Sequence, residues 1–222
     1  KIPDFTGKKE FTGNQFHSSQ WDHEQDFTGK RVAVIGTGAS AFQIVPELAE
    51  VADKLIVFQR SPAWMYPNPI YHEKVTDSKK WLLSSIPFYS RWYRFLLFWP
   101  GSDGLMPSLT IDPKWPNKRK SVNKLNELQR QNFTKYIMEK VEDDETLLAK
   151  VLPDYPPFVK RMLQDNGSWL DTLKKDNVSL VTDSIDYIDS KGITTVDSSF
   201  YELDVIVYAT GFHGTEFLSS IE

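Results

Sequence analysis

Arg31-Val-Ala-Val-Ile-Gly-Thr-Gly-Ala-Ser-Ala41 is the stretch that decides the fold. The apolar run Val32 to Ile35 predicts a buried strand, and Gly36 to Ala41 fit a Gly-x-Gly-x-x-Ala turn opening a helix. Such a turn suits the pyrophosphate of a dinucleotide. Gly36 permits the tight bend, Gly38 lets the backbone approach the phosphates, and Ala41 lets the helix sit close to the strand. Thr37, Ala39 and Ser40 complete the loop, and the helix N-terminus offers free N–H groups with a partial positive charge. A nucleophilic role for Ser40 is excluded, because a hydrolase elbow needs glycine two residues later and Phe42 stands there.

The periodicity predicts a helix over 39–51, with Phe42, Ile44, Val45, Leu48 and Ala49 on its apolar side. A second strand, Leu55 to Phe58, follows at the spacing of a βαβ unit. An NAD-binding unit ends this strand with a carboxylate for the ribose hydroxyls, but here it ends Gln59-Arg60-Ser61. A guanidinium beside a hydroxyl suits the 2′-phosphate anion, and no Asp or Glu competes for it. These residues therefore point to NADP(H). The plainer alternative is that Arg60 is a solvated residue at a strand end.

The rest of the chain has the length and composition of one large domain with a sizeable insertion: 222 residues, 40% of them hydrophobic. Residues 1–25 are rich in turn residues, and Pro62, Pro67 and Pro69 are expected to break regular structure. Helical periodicity dominates 76–150, strongest over 121–148. Val178–Val181 and Val205–Tyr208 read as buried strands flanking a hairpin over 185–196. The expected fold is α/β: a Rossmann-type doubly wound, mostly parallel sheet with a helical insertion subdomain. A net charge of −4 gives no electrostatic case for nucleic acid. The absence of cysteine excludes disulfides and thiolate chemistry, and the four histidines lack metal-binding spacing. Trp81 to Trp99 is the nearest approach to a membrane segment, but Pro87, Arg91 and Arg94 interrupt it. It is expected to pack on its own protein, with no membrane association. In an intact enzyme the alternatives are a substrate entrance or a membrane surface.

Upstream of the glycine turn, Phe11-Thr-Gly-Asn-Gln-Phe-His-Ser-Ser-Gln-Trp-Asp22 reads F-x-G-x-x-x-H-x-x-x-W-D, carried by Phe11, Gly13, His17, Trp21 and Asp22. With a dinucleotide loop following, this resembles the fingerprint of the Baeyer–Villiger monooxygenases. Related N- and S-oxidising flavin monooxygenases carry a similar motif, usually without the Trp-Asp ending. Ala209-Thr210-Gly211 resembles the hinge between the nicotinamide and flavin domains of that superfamily. Lys160-Arg161 stands where the family places two working cations. The runs 160–169 and 176–182 resemble the 4-hydroxyacetophenone monooxygenase subgroup.

The resemblance implies the NADPH-binding portion of a longer cytoplasmic enzyme, inactive when isolated. That enzyme would use FAD, NADPH and O₂ to insert one oxygen atom beside a ketone carbonyl, giving an ester or lactone. Arg161 is implied as the catalytic cation, Lys160 joins Arg60 and Ser61 as 2′-phosphate ligands, and His17 has a structural or domain-coupling role on a linker. The implied organisation is a linker over 1–25, a nucleotide domain over 26–75 and 151–210, a helical insertion over 76–150, and a return from 211 to 222 toward a flavin domain outside this chain. Two alternatives stay open: an N- or S-oxidising flavin monooxygenase, and a non-catalytic NADP-binding module.

Overall fold

The computed structural model describes residues 2–212. Most of the expected return segment, 213–222, lies outside the described residues. Along the chain run β1 (Asn14–His17), β2 (Arg31–Ile35), α1 (Ala39–Leu48), β3 (Lys54–Phe58), β4 (Met65–Pro67), α2 (Asp77–Ser85), α3 (Tyr89–Gly101) and α4 (Met106–Leu109). They are followed by α5 (Lys124–Val141), α6 (Glu145–Val151), β5 (Leu163–Asp165), α7 (Ser168–Leu173), β6 (Val178–Val181), β7 (Ile185–Ile188), β8 (Gly192–Thr195), β9 (Phe200–Glu202) and β10 (Val205–Tyr208).

Five strands form one parallel sheet in the order β1-β10-β2-β3-β6. Alternation along each strand gives the sheet two faces. Ala33, Ile35, Ile56, Phe58, Ile206 and Tyr208 share a core cluster with Ile188, Ile193 and Leu203 from the antiparallel β7-β8-β9 segment. The alternate residues Val32, Val34, Leu55, Val57, Val205 and Val207 are also buried, and α1 and α7 contact β3 and β6. Phe42 of α1 stacks on Trp169 of α7 with ring centroids 4.1 Å apart. Strands covered on both faces are apolar at every position, which is why β2 and β10 show as unbroken hydrophobic runs.

Several local expectations are corrected. The turn-rich entry segment contributes an edge strand, β1, so His17 sits in the sheet and not on a free linker. Helix α1 stops at Leu48, and just beyond it the Asn177 amide donates to the carbonyls of Ala49 and Ala52, each at 3.0 Å. The hairpin over 185–196 gains a third strand, β9. The proline-rich stretch after Ser61 holds β4, which pairs in parallel with β5. Pro67 is tolerated there at the end of a two-stranded edge.

Contacts divide the chain into two compact units, residues 1–63, 137–152 and 167–222, and residues 64–136 and 153–166. These limits differ from the boundaries near 75 and 150. In the sheet unit, the Gln59 amide donates to the Lys150 carbonyl at 2.7 Å and the Lys150 ammonium to the Leu180 carbonyl at 3.0 Å, which ties α6 to the sheet. In the helical unit, the Trp64 indole donates to the Tyr155 carbonyl at 2.8 Å, and the Phe133 ring meets Trp64, Tyr66 and Phe158 at 6.0–6.2 Å. Neither α2 nor α3 buries a residue, so among the described residues Trp81 to Trp99 does not pack into a core. Among the described residues, no helix is long and apolar enough to cross a membrane.

One ion cluster pins the start of β2 to the start of β10. The Arg31 guanidinium donates to both Asp204 carboxylate oxygens, at 2.7 and 3.1 Å, and also pairs with Glu202. The Arg31 side-chain hydrogen bonds hold the Asp204 carboxyl down at about 2, against an ordinary 3.8. A depressed carboxylate stabilises the fold at pH above its unfolded value and loses that contribution as pH falls through its folded value. Asp204→Asn should therefore cost about 1 kcal/mol at pH 7, the pair being partly exposed. Urea unfolding should show the gap to the parent closing between about pH 4 and pH 2.

Candidate nucleotide-binding site

The loop between β2 and α1 is shaped by two glycines in different ways. Gly36 has φ +108°, and a Cβ there would lie 2.6 Å from the Ala209 carbonyl oxygen. The protein itself therefore demands glycine at this position. Its N–H donates to the Phe58 carbonyl at 2.9 Å. At Gly38 a Cβ would meet nothing within 4 Å, so packing among the described residues does not require glycine there. Gly38 caps α1 with no side-chain hydrogen bond, and no acidic residue stands in the first turn. The opening N–H groups of α1 and its positive end are thus available to an anion. Ala41 is fully buried, allowing α1 to lie close to the sheet.

At the end of β3, Gln59 is only 5% exposed, and its backbone N–H donates to the Val181 carbonyl at 2.8 Å. Arg60 is exposed and makes no hydrogen bond or ion pair among the described residues. The Thr37 hydroxyl donates to the Ser61 carbonyl at 3.4 Å, joining the glycine loop to this strand end. Lys160 and Arg161 are both exposed and belong to the helical unit. Lys160 Nζ lies 4.4 Å from the centre of the Tyr155 ring.

Each residue of the upstream motif has an identifiable place in the sheet unit. Phe11 is buried in the core cluster. A Cβ on Gly13 would lie 2.3 Å from the Asp204 carbonyl oxygen, so this position also requires glycine. Trp21 packs edge-on against Phe16, with centroids 5.4 Å apart, and against Phe27 at 5.5 Å. Asp22 accepts from the Asn14 amide at 3.1 Å and from the Glu24 N–H at 3.1 Å. His17 is 4% exposed. Its Nδ1 accepts from the Ser19 N–H at 3.1 Å, a group that can only donate. The remaining ring proton is therefore on Nε2, which donates to the Gly211 carbonyl at 3.0 Å. The structure thus brings His17 to the Ala209-Thr210-Gly211 segment. Spacing in the sequence carries no sign of this bond, because its partners are 194 residues apart.

A parallel sheet whose glycine turn opens a helix towards an open, cation-flanked strand end defines a dinucleotide-binding domain of the Rossmann type. Residues 1–76 match the flavin-binding monooxygenase-like family. The chain is 40% identical over its whole length to an uncharacterised monooxygenase of Sinorhizobium fredii, of which it covers 33%. It is 35% identical over 97% of its length to a Baeyer–Villiger monooxygenase of Streptomyces coelicolor, of which it covers 39%. Among solved structures it resembles OTEMO in complex with FAD and NADP, with a TM-score of 0.74 and 32% identity over 96% of this chain and 45% of that one. It also resembles an oxidised steroid monooxygenase bound to NADP, with a TM-score of 0.76 and 29% identity over 97% of this chain and 45% of that one. The chain is thus similar to flavin-dependent and Baeyer–Villiger monooxygenases, and it spans between a third and two fifths of the length of the first curated relatives it matches.

The two loop glycines should respond differently to the same substitution. Gly36→Ala forces a side chain into a positive φ and against a carbonyl, and should cost about 2 kcal/mol or more. Gly38→Ala should cost less than about 1 kcal/mol. Parallel urea titrations of the two variants separate these outcomes.

Proposed function

We propose that this chain binds NADP(H) for an FAD-dependent monooxygenase that inserts one oxygen atom from O₂ beside a ketone carbonyl, giving an ester or lactone. The observation that carries the nucleotide reading is the open space at Gly38, before an α1 N-terminus with no acid in its first turn. An exposed Arg60 at the end of β3, with no carboxylate in Gln59-Arg60-Ser61, supports NADP(H) over NAD. The residues fit the group: Gly36 to Ala41 would hold the pyrophosphate, and Arg60 with Ser61 the 2′-phosphate. When bound, the nicotinamide supplies hydride to the flavin, which in turn activates oxygen.

The roles of Lys160 and Arg161 rest on the motif match. Lys160 is assigned to the 2′-phosphate, and Arg161 is the cation that favours negative charge developing beside the flavin. Ala209-Thr210-Gly211, tied to His17, serves as the hinge toward the flavin-binding part of a longer protein. The matching runs over 160–169 and 176–182 support the 4-hydroxyacetophenone monooxygenase subgroup. Residues 26–75 and 151–210 form the nucleotide domain in this reading, with 76–150 as its helical insertion. The reaction is placed in the cytoplasm, where NADPH is available.

Calorimetric titration of the chain tests the nucleotide site. NADPH should bind more tightly than NADH, and Arg60→Ala should weaken NADPH by about tenfold or more while leaving NADH unchanged. Equal affinities for the two nucleotides would remove Arg60 from the site. No binding of either would mean that this chain alone does not make a complete site.

In the full-length enzyme, Arg161→Ala should abolish ester formation and keep NADPH binding. Retained product formation, followed by gas chromatography, would sink the assignment of Arg161.

A further inference from the structure

Phe88, Trp92, Phe95 and Trp99 recur at i, i+4, i+7 and i+11 and form one stripe along α3 and its N-terminal cap. All four face solvent, with 66, 64, 47 and 49% of their surface exposed. The rings form a contiguous surface: Trp92 and Phe95 lie 5.7 Å apart, and Phe95 and Trp99 5.6 Å. Leu96 and Phe98 are exposed on its two flanks. A chain that buries its sheet on both faces has left a connected aromatic surface uncovered. Patches of this kind mark contact with a protein or a lipid surface.

Charge selects between the two. The chain as a whole carries −4, yet α3 has no acidic side chain and displays Arg91 and Arg94. Helix α2 adds Lys79 and Lys80 against a single acid, Asp77, which pairs with Lys80 at 3.0 Å. Lys79 Nζ sits 4.7 Å from the centre of the Tyr93 ring, and the Arg91 guanidinium 5.5 Å from that of Phe88. Arg91 thus borders the aromatic stripe at Phe88, and Lys79 adds positive charge on the neighbouring Tyr93 side of α3. We propose that α2 and α3 dock on an anionic lipid bilayer, with the aromatic stripe at headgroup depth and the cations on lipid phosphates. Tryptophan and tyrosine favour that depth, and a rim of one sign complements an anionic surface. With 13 residues, α3 is about 20 Å long, short of the ~30 Å hydrocarbon core, so it lies in the interface and does not span. Pro87, Arg91 and Arg94 argue against spanning but not against this arrangement.

Vesicle cosedimentation of the chain tests the proposal, using phosphatidylcholine alone and phosphatidylcholine with about 30% phosphatidylglycerol. The chain should pellet with the anionic vesicles and lose binding as salt is raised. Arg91→Gln with Arg94→Gln should weaken binding about fivefold for each arginine removed. Trp92→Ser with Trp99→Ser should abolish it. None of these side chains is buried, so all variants should melt with the parent. Absence of binding to anionic vesicles overturns the proposal, as does equal binding to both vesicle types. Sedimentation equilibrium showing a dimer lost in the tryptophan variant would assign the face to a second copy instead. Binding by the chain but not by the full-length enzyme would assign it to the rest of that protein. None of these outcomes depends on NADP(H) binding, so the nucleotide reading stands or falls separately.

Discussion

The carbonyl of Ala209 occupies the space where any side chain at position 36 would begin. This close approach follows from the parallel pairing of β10 with β2, which sets Tyr208 opposite Ile35. The Ala209 N–H donates to the Ile35 carbonyl at 2.9 Å, so the two chains leave the sheet side by side. Gly36 must then bend away with a positive φ, and that bend aims α1 with its N-terminus open. The glycine turn is thus held by the strand that ends the described chain as much as by its own sequence.

A second layer of constraint sits beside it. β1 pairs with β10, and His17 is in register with Tyr208. Because Ser19 donates to Nδ1, the His17 ring is fixed as an Nε2–H donor, and its one proton is spent on the Gly211 carbonyl. Tyr208 itself is core: it is buried, its hydroxyl donates to the Gln15 side-chain oxygen at 2.8 Å, and burial pushes its phenol up to about 12. The Phe-x-Gly-x-x-x-His-x-x-x-Trp-Asp motif is in this sense an edge-strand motif. Phe11 and Trp21 anchor the strand on either side, Gly13 admits the Asp204 carbonyl, and His17 reaches the segment that follows β10.

In the sheet unit the sheet is buried on both faces, and Arg60 at the end of β3 is exposed. In the helical unit, Phe133 gathers Trp64, Tyr66 and Phe158, while α3 presents its rings outward. Both helices α1 and α3 are amphipathic in sequence. Periodicity reports that a helix has an apolar face, and what covers that face depends on the rest of the fold.

The sequence by itself determined the strand–turn–helix of the nucleotide loop, because an unbroken apolar run and glycines at fixed spacing are local signals. It also determined the absence of a carboxylate at Gln59-Arg60-Ser61, which follows from residue identity alone. Tertiary structure decided what depends on pairing between distant segments. The turn-rich entry became β1 only because β10 offered it an edge, and the chain leaving α1 is held by Asn177, more than a hundred residues away in sequence. Strands of three residues, such as β4 and β9, leave too short a pattern to read locally; their partners make them strands. The exposure of α3 was likewise invisible in sequence, since an apolar helix reads the same whether a core, a lipid surface or water lies against it.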